Sequence, residues 1–235
     1  MDTQTRHALK KDKLAQAAAT SASWVEEHRT GVLRWVISAG AMLFLAVGVT
    51  VYWNVRTSAA DLALGAAVDL YNQPLAVPGE PPEAGVYTSA TAQATEANRE
   101  FVAIAHDYRW LPEGTKARYF AGVTYLELGQ NGPAETELKA AADSLDRNLA
   151  NLARMALAGL YHQTGRDNQA VDLYNALAAK PSETVSASVA RLALADLYVA
   201  EGKQDQARLL WAKIKDADKD SAAASIAQEK LTAKP

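Results

Sequence analysis

The chain has 235 residues, 49 of them alanine, and no cysteine; alanine favours helix and close helix packing, so composition predicts an all-α fold. Disulfide staples, thiolate metal sites and cysteine nucleophiles are excluded. The net charge of −3 is uneven, with seven Lys/Arg against four Asp/Glu in residues 1–56 and 17 against 23 in residues 57–235, and an acidic bulk argues against nucleic-acid binding.

Residues 1–34 form a cytoplasmic N-terminal segment in this reading. Residues 5–28 lack Pro and Gly and are rich in alanine, which predicts a solvated lead-in helix. Leu14, Ala18, Ala22 and Val25 give it only a weak apolar stripe, and Trp24 is a candidate interfacial anchor.

Residues 35–53 read WVISAGAMLFLAVGVTVYW, 19 residues without a charge. At about 1.5 Å per residue that length crosses the hydrocarbon core of a bilayer. Trp35 opens the run and Tyr52 with Trp53 closes it, matching the aromatic belts of membrane interfaces. A soluble core helix would show a polar stripe, and a cleaved signal peptide would be shorter in both its basic and apolar parts. Lys/Arg cluster before the run, at Arg6, Lys10, Lys11, Lys13, Arg29 and Arg34. After Arg56 none follows until Arg99. Positive flanks stay in the cytoplasm, so residues 57–235 are expected outside it.

Residues 57–112 read as an irregular helix pair. Its first helix is 57–73. Its second is 91–108, with Ala97, Phe101 and Ile104 inward, and a Pro/Gly-rich loop at 74–88 joins them. Trp110 is expected to pack under that region, with an exposed contact as the alternative.

Three tandem segments follow, at about 115–148, 151–183 and 188–219, with common internal spacing. Each carries Ala-Arg, at Ala117-Arg118, Ala153-Arg154 and Ala190-Arg191. Tyr125, Tyr161 and Tyr198 come next, and Gly129, Gly165 and Gly202 stand four residues beyond. Ala134, Ala170 and Ala207 follow each glycine by five, and Leu138, Tyr174 and Trp211 come four later. The glycines lie 36 and 37 residues apart. The pattern describes helix hairpins whose first helix ends at a glycine with positive φ. Gly122, Ala158 and Ala195 are small enough for close helix approach, and Pro133 suits a first helical turn. Residues 220–232 are expected to cap the array with Ile226 and Leu231 inward.

This order of small residue, Tyr, turn Gly, Ala and bulky residue closely resembles the tetratricopeptide repeat, whose period is 34. Arg118, Arg154 and Arg191 stand where that family has its first aromatic. The resemblance implies an α-solenoid whose first helices line a concave protein-binding groove. The positions so implied are Lys116, Tyr119, Val123, Leu126 and Glu127, then Met155, His162 and Gln163, then Val189, Leu192, Asp196 and Val199. Packing inside the array is the competing role for each. The mixed, weakly charged surface suits an extended or helical apolar peptide better than a C-terminal carboxylate.

No enzyme is expected. His7, His28, His106 and His162 have no metal-ligand spacing, and phosphate-loop, dinucleotide and serine-elbow motifs are absent. Glu135 with Glu137, and Asp216 with Asp220, read as solvated helix faces. No catalytic residue, cofactor or metal is expected. The layout over about residues 22–235, one span followed by repeats, looks like the bacterial family of ancillary SecYEG translocon subunits. That resemblance implies an inner-membrane protein with a periplasmic domain, and partners among the Sec translocon, emerging polypeptides and periplasmic chaperones. A structural adaptor for a cell-division or outer-membrane complex is the other function class the layout admits.

Overall fold

The computed structural model describes residues 29–76, 85–217 and 219–233. Trp24, His7, His28 and the expected helix over 5–28 lie outside the described residues. The fold is all-α, with nine helices and no strand among the described residues. By its internal contacts the chain separates into two units, residues 1–56 and 57–235.

Helix α1, Arg29–Asn72, is 44 residues long. It joins into one element the expected span and the expected helix over 57–73. No Pro or Gly falls between Gly48 and Gly65, so nothing in Asn54–Thr57 breaks the ladder. Its apolar stretch is long enough to cross a membrane, and no side chain there is buried within the chain. Trp35 and Phe44 are each 79% exposed. The Thr50 hydroxyl donates to Ala46 O at 2.8 Å, which satisfies it within the helix without water.

Residues 57–235 form an antiparallel succession of helices. After α1 come α2 (Ala90–Asp107) and α3 (Pro112–Glu127), then α4 (Asn131–Ala142) and α5 (Arg147–Gln163). They are followed by α6 (Asp167–Ala179), α7 (Ala187–Ala200), α8 (Gln204–Ala217) and α9 (Ala222–Thr232). Each helix from α2 onward packs on the next, α3 also reaches α5, and α7 also reaches α9.

Two kinds of turn alternate. Within the three repeated pairs, Gly129, Gly165 and Gly202 have φ of 70°, 72° and 76°. The following residue donates its N–H back to the tyrosine carbonyl: Gln130 to Tyr125 and Arg166 to Tyr161 at 2.8 Å, and Lys203 to Tyr198 at 2.7 Å. These are Schellman closures. The same residue starts the next helix, because its carbonyl accepts from Ala134, Ala170 or Ala207. Between pairs a side chain does the capping. Asp146 Oδ1 accepts from Asn148 N at 2.9 Å, and Ser186 and Ser221 hydroxyls each accept from the third residue beyond at 3.1 Å. Helix α3 instead begins with Pro112, whose missing N–H costs nothing there.

Three apolar clusters run along this unit. Leu64, Ala67, Ala97, Phe101 and Ile104 close the first pair against Ala117 and Ala121 of α3, and Phe101 stacks on Phe120 at 5.0 Å. Leu138, Leu157, Leu160, Tyr161, Tyr174 and Leu177 fill the middle. Trp211 and Ile214 pack with Ala195, Ala207, Ala223 and Ala227 at the far end. Asn98, 7% exposed, donates to Ala121 O at 3.0 Å and to Thr124 Oγ1 at 2.8 Å. Buried polar groups need such partners, and this one pins α2 to α3.

Two expectations are corrected. Ile226 is 45% exposed; α9 meets α7 and α8 through Ala223, Ala224 and Ala227, and Ile226 falls on the face with no further neighbour. Leu231 does pack partly against the last cluster. Trp110 is 80% exposed, because its neighbour Leu111, 5% exposed, occupies the buried position at that corner.

Candidate protein-binding surface

The predicted groove residues separate into two groups. Tyr119, Val123, Leu126 and Met155 are half-buried and pack on the central cluster, and Leu192 packs on the last one. The first four form the seam where α3 lies beside α5, with their outer edges open. Burial pushes the Tyr119 phenol up. Lys116 is half-buried and stands 3.7 Å from Glu113. Gln163, Val189, Asp196 and Val199 are exposed, Val189 at 41%. They present a mixed surface on α5 and α7.

Glu127 is exposed yet engaged, since the Tyr71 hydroxyl of α1 donates to its carboxylate. Burial raises the Tyr71 pKa, and the Glu127 carboxylate raises it further, so the phenol stays the donor. This ties the end of α3 to α1. His162 Nδ1 lies 2.6 Å from Asp167 Oδ1, across the turn from α5 to α6. It braces that turn, with its ring partly open.

The repeat-signature residues come together as spaced. Ala134, Ala170 and Ala207 are each fully buried at the crossing of their pairs. A Cβ on Gly122 would stand 2.6 Å from Leu138 Cγ, so the small residue admits the bulky one. Arg118 Nη1 donates to Glu137 at 3.0 Å, tying α3 to α4. Arg154 Nη2 donates at 2.6 Å to Ala142 O, capping α4 from the next pair. Two of the three arginines found in place of aromatics, Arg118 and Arg154, therefore bridge helices by hydrogen bonds.

No protein-family model, curated protein or solved structure matches the chain significantly. The surface must therefore be argued from its own chemistry. Among the described residues, no group of three His, Asp or Glu side chains is placed to hold a metal ion.

Glu135 and Glu137 are not the freely solvated face expected of them. Arg166 grips Glu135 through both terminal nitrogens, at 3.0 and 2.8 Å, and Lys139 adds a contact at 2.6 Å. The Arg166 guanidinium also lies 4.3 Å over the Tyr161 ring. The Arg166 hydrogen bonds, and then those of Lys139, hold the Glu135 carboxyl down at about 2. This clamp spans 31 residues of sequence and locks the start of α4 to the next pair's turn. Its only sequence signal is a cation directly after the turn glycine, at Arg166 and again at Lys203. Lys203 Nζ likewise lies 5.7 Å over the Tyr198 ring. Nothing in spacing pointed to Tyr71 with Glu127.

Proposed function

We propose that the protein is a single-pass, membrane-anchored scaffold whose tetratricopeptide-type domain binds other polypeptides. Residues 35–53 hold it in the bacterial inner membrane, with the N-terminus in the cytoplasm and residues 57–235 in the periplasm. There it works beside the Sec translocon, receiving emerging chains or the chaperones that take them. The observation that carries this reading is the pairing of two features in one chain. A span-long apolar helix has no buried side chain, and it leads into helix pairs closed three times by the same Tyr–Gly turn. The first feature has no use in water, since it buries nothing there. The second is the sequence order of a family that grips peptides along its first helices. The Lys/Arg bias before residue 35 supports the orientation.

The open edges of Leu126, Val189 and Val199 are the places to seek a ligand, because they are apolar and reachable. A photo-crosslinking amino acid at each position in cells should capture Sec components or translocating chains. Capture of a different envelope complex, with no Sec component, replaces this partner assignment with the adaptor role. A topology reporter fused after residue 235 should be active only outside the cytoplasm.

A further inference from the structure

The helices of residues 57–235 alternate in direction, so their turns fall at two ends. Gln93 Nε2 donates to Leu70 O at 2.8 Å and to Gln73 O at 2.7 Å, which sets the start of α2 beside the end of α1. Tyr71 with Glu127 brings the end of α3 to the same place, and Glu135 with Arg166 brings the starts of α4 and α6. That end carries the glycine turns, with polar Gln130, Arg166 and Lys203 at their tips. The opposite end is the end of Thr57. Residues 57–72 rise about 24 Å and α2 about 27 Å, so α2 finishes level with where this unit begins. Its turns are 108–111, 143–146 and 180–186, together with the α8–α9 turn after Ala217.

Among the described large apolar side chains of residues 57–235, the two most exposed are Leu145, at 104%, and Trp110, at 80%. Both stand in turns of the Thr57 end, in neighbouring turns joined by α3 and α4. Neither belongs to a buried cluster or to the predicted groove. The Arg109 guanidinium lies 5.1 Å over the Trp110 ring without covering it, and exposed Arg147 follows Leu145 by two residues. An aromatic ring and a branched chain at turn tips, each with an arginine alongside, suit the headgroup layer of a bilayer. There rings sit at the interface and cations meet phosphate. Connectivity selects lipid over a protein partner. Thr57 follows Trp53, the last residue of the apolar run, by four residues, a reach of at most about 14 Å in any conformation.

We propose that Trp110 and Leu145 dip into the interface of the bilayer that holds residues 35–53, tethering the helical array to the membrane surface at a second point. The inference rests on the membrane reading above.

The chain has no cysteine, so a single introduced one takes a fluorescent label alone. The full chain is labelled with NBD at Leu145→Cys, at Asn168→Cys near a glycine turn, or at Phe44→Cys within the span. It is reconstituted in phosphatidylethanolamine/phosphatidylglycerol vesicles that carry a nitroxide near the headgroup or deep in the acyl chain. The deep nitroxide should quench the Phe44 label. The shallow one should quench the Leu145 label several-fold more than the Asn168 label, and Trp110→Ala should reduce that difference. If the Phe44 label escapes quenching, the membrane reading fails and this inference with it. If it is quenched while Leu145 behaves like Asn168, only the second tether is overturned. Protection of Leu145 that grows with protein-to-lipid ratio and ignores the nitroxide also overturns it, and assigns the surface to a second copy.

Discussion

In the three turns within the repeated pairs, a glycine is required by backbone sign alone. At Gly165, φ is 72° and a Cβ would meet nothing within 4 Å, so the cost of a side chain there is conformational. Gly165→Ala should lower stability by about 1–2 kcal/mol. Gly159 also faces open space but lies inside α5, and Gly159→Ala should raise stability by about 0.5–1 kcal/mol. Chemical denaturation of the two variants checks the pair, and equal losses would contradict the turn assignment. Glu135 supplies a second residue-scale prediction. Its carboxyl falls from an ordinary value of 4.5 to about 2 on folding. A carboxyl lowered in this way stabilises the folded state above its unfolded value, and loses that contribution as pH falls toward the folded one. Urea unfolding should therefore show the wild type losing its advantage over Glu135→Gln between about pH 4.5 and pH 2, with little change from pH 6 to 8.

The elements owe their boundaries to two capping chemistries. Between pairs, Asp146 satisfies the free N–H groups at the start of α5. Asp146→Ala should cost about 1 kcal/mol, measured by thermal unfolding at neutral pH. The link from α2 to α3 is a buried amide instead. Asn98→Leu leaves the Ala121 carbonyl without that donor and crowds a closed site, so a loss of about 1–3 kcal/mol is expected. An unchanged midpoint would mean that α2 is held by its apolar face alone. Helix positions and glycine turns were readable in the sequence because both depend on neighbours within one or two turns. Length told less: no local breaker separates residues 53 and 57, yet the span and the next helix were expected as two elements. The inward face of α9 was misread for a related reason. Ile226 has the right residue type, but a terminal helix has one packed side, and alanines occupy it.

At the scale of the molecule, the apolar stretch of α1 is long enough to cross a membrane and buries no side chain within the chain. A charged residue at the middle of a span opposes insertion by roughly 2.5–3.5 kcal/mol. On the proposed membrane anchoring, replacing Leu43 and Phe44 together by Arg should shift the chain from the carbonate-resistant membrane fraction to the soluble one. Residues 57–235 should keep their helical signal in that variant, since none of the three clusters includes either residue. Of the groove positions implied by the resemblance to the tetratricopeptide repeat, Val189, Asp196 and Val199 lie exposed, whereas Tyr119, Val123 and Met155 pack into the seam between α3 and α5.

What the sequence by itself determined is whatever short-range physics decides. That includes the all-helical composition, the uncharged apolar run, the turn glycines at intervals of 36 and 37 residues, and the small residues that let paired helices approach. Only the tertiary structure decided which side chains are used up by partners far along the chain. Tyr71 closes on Glu127, Arg166 on Glu135, and Leu111 rather than Trp110 fills its corner. The reason is that a side chain's periodicity gives its face on a helix. Its exposure depends on a neighbouring helix whose position no local spacing encodes.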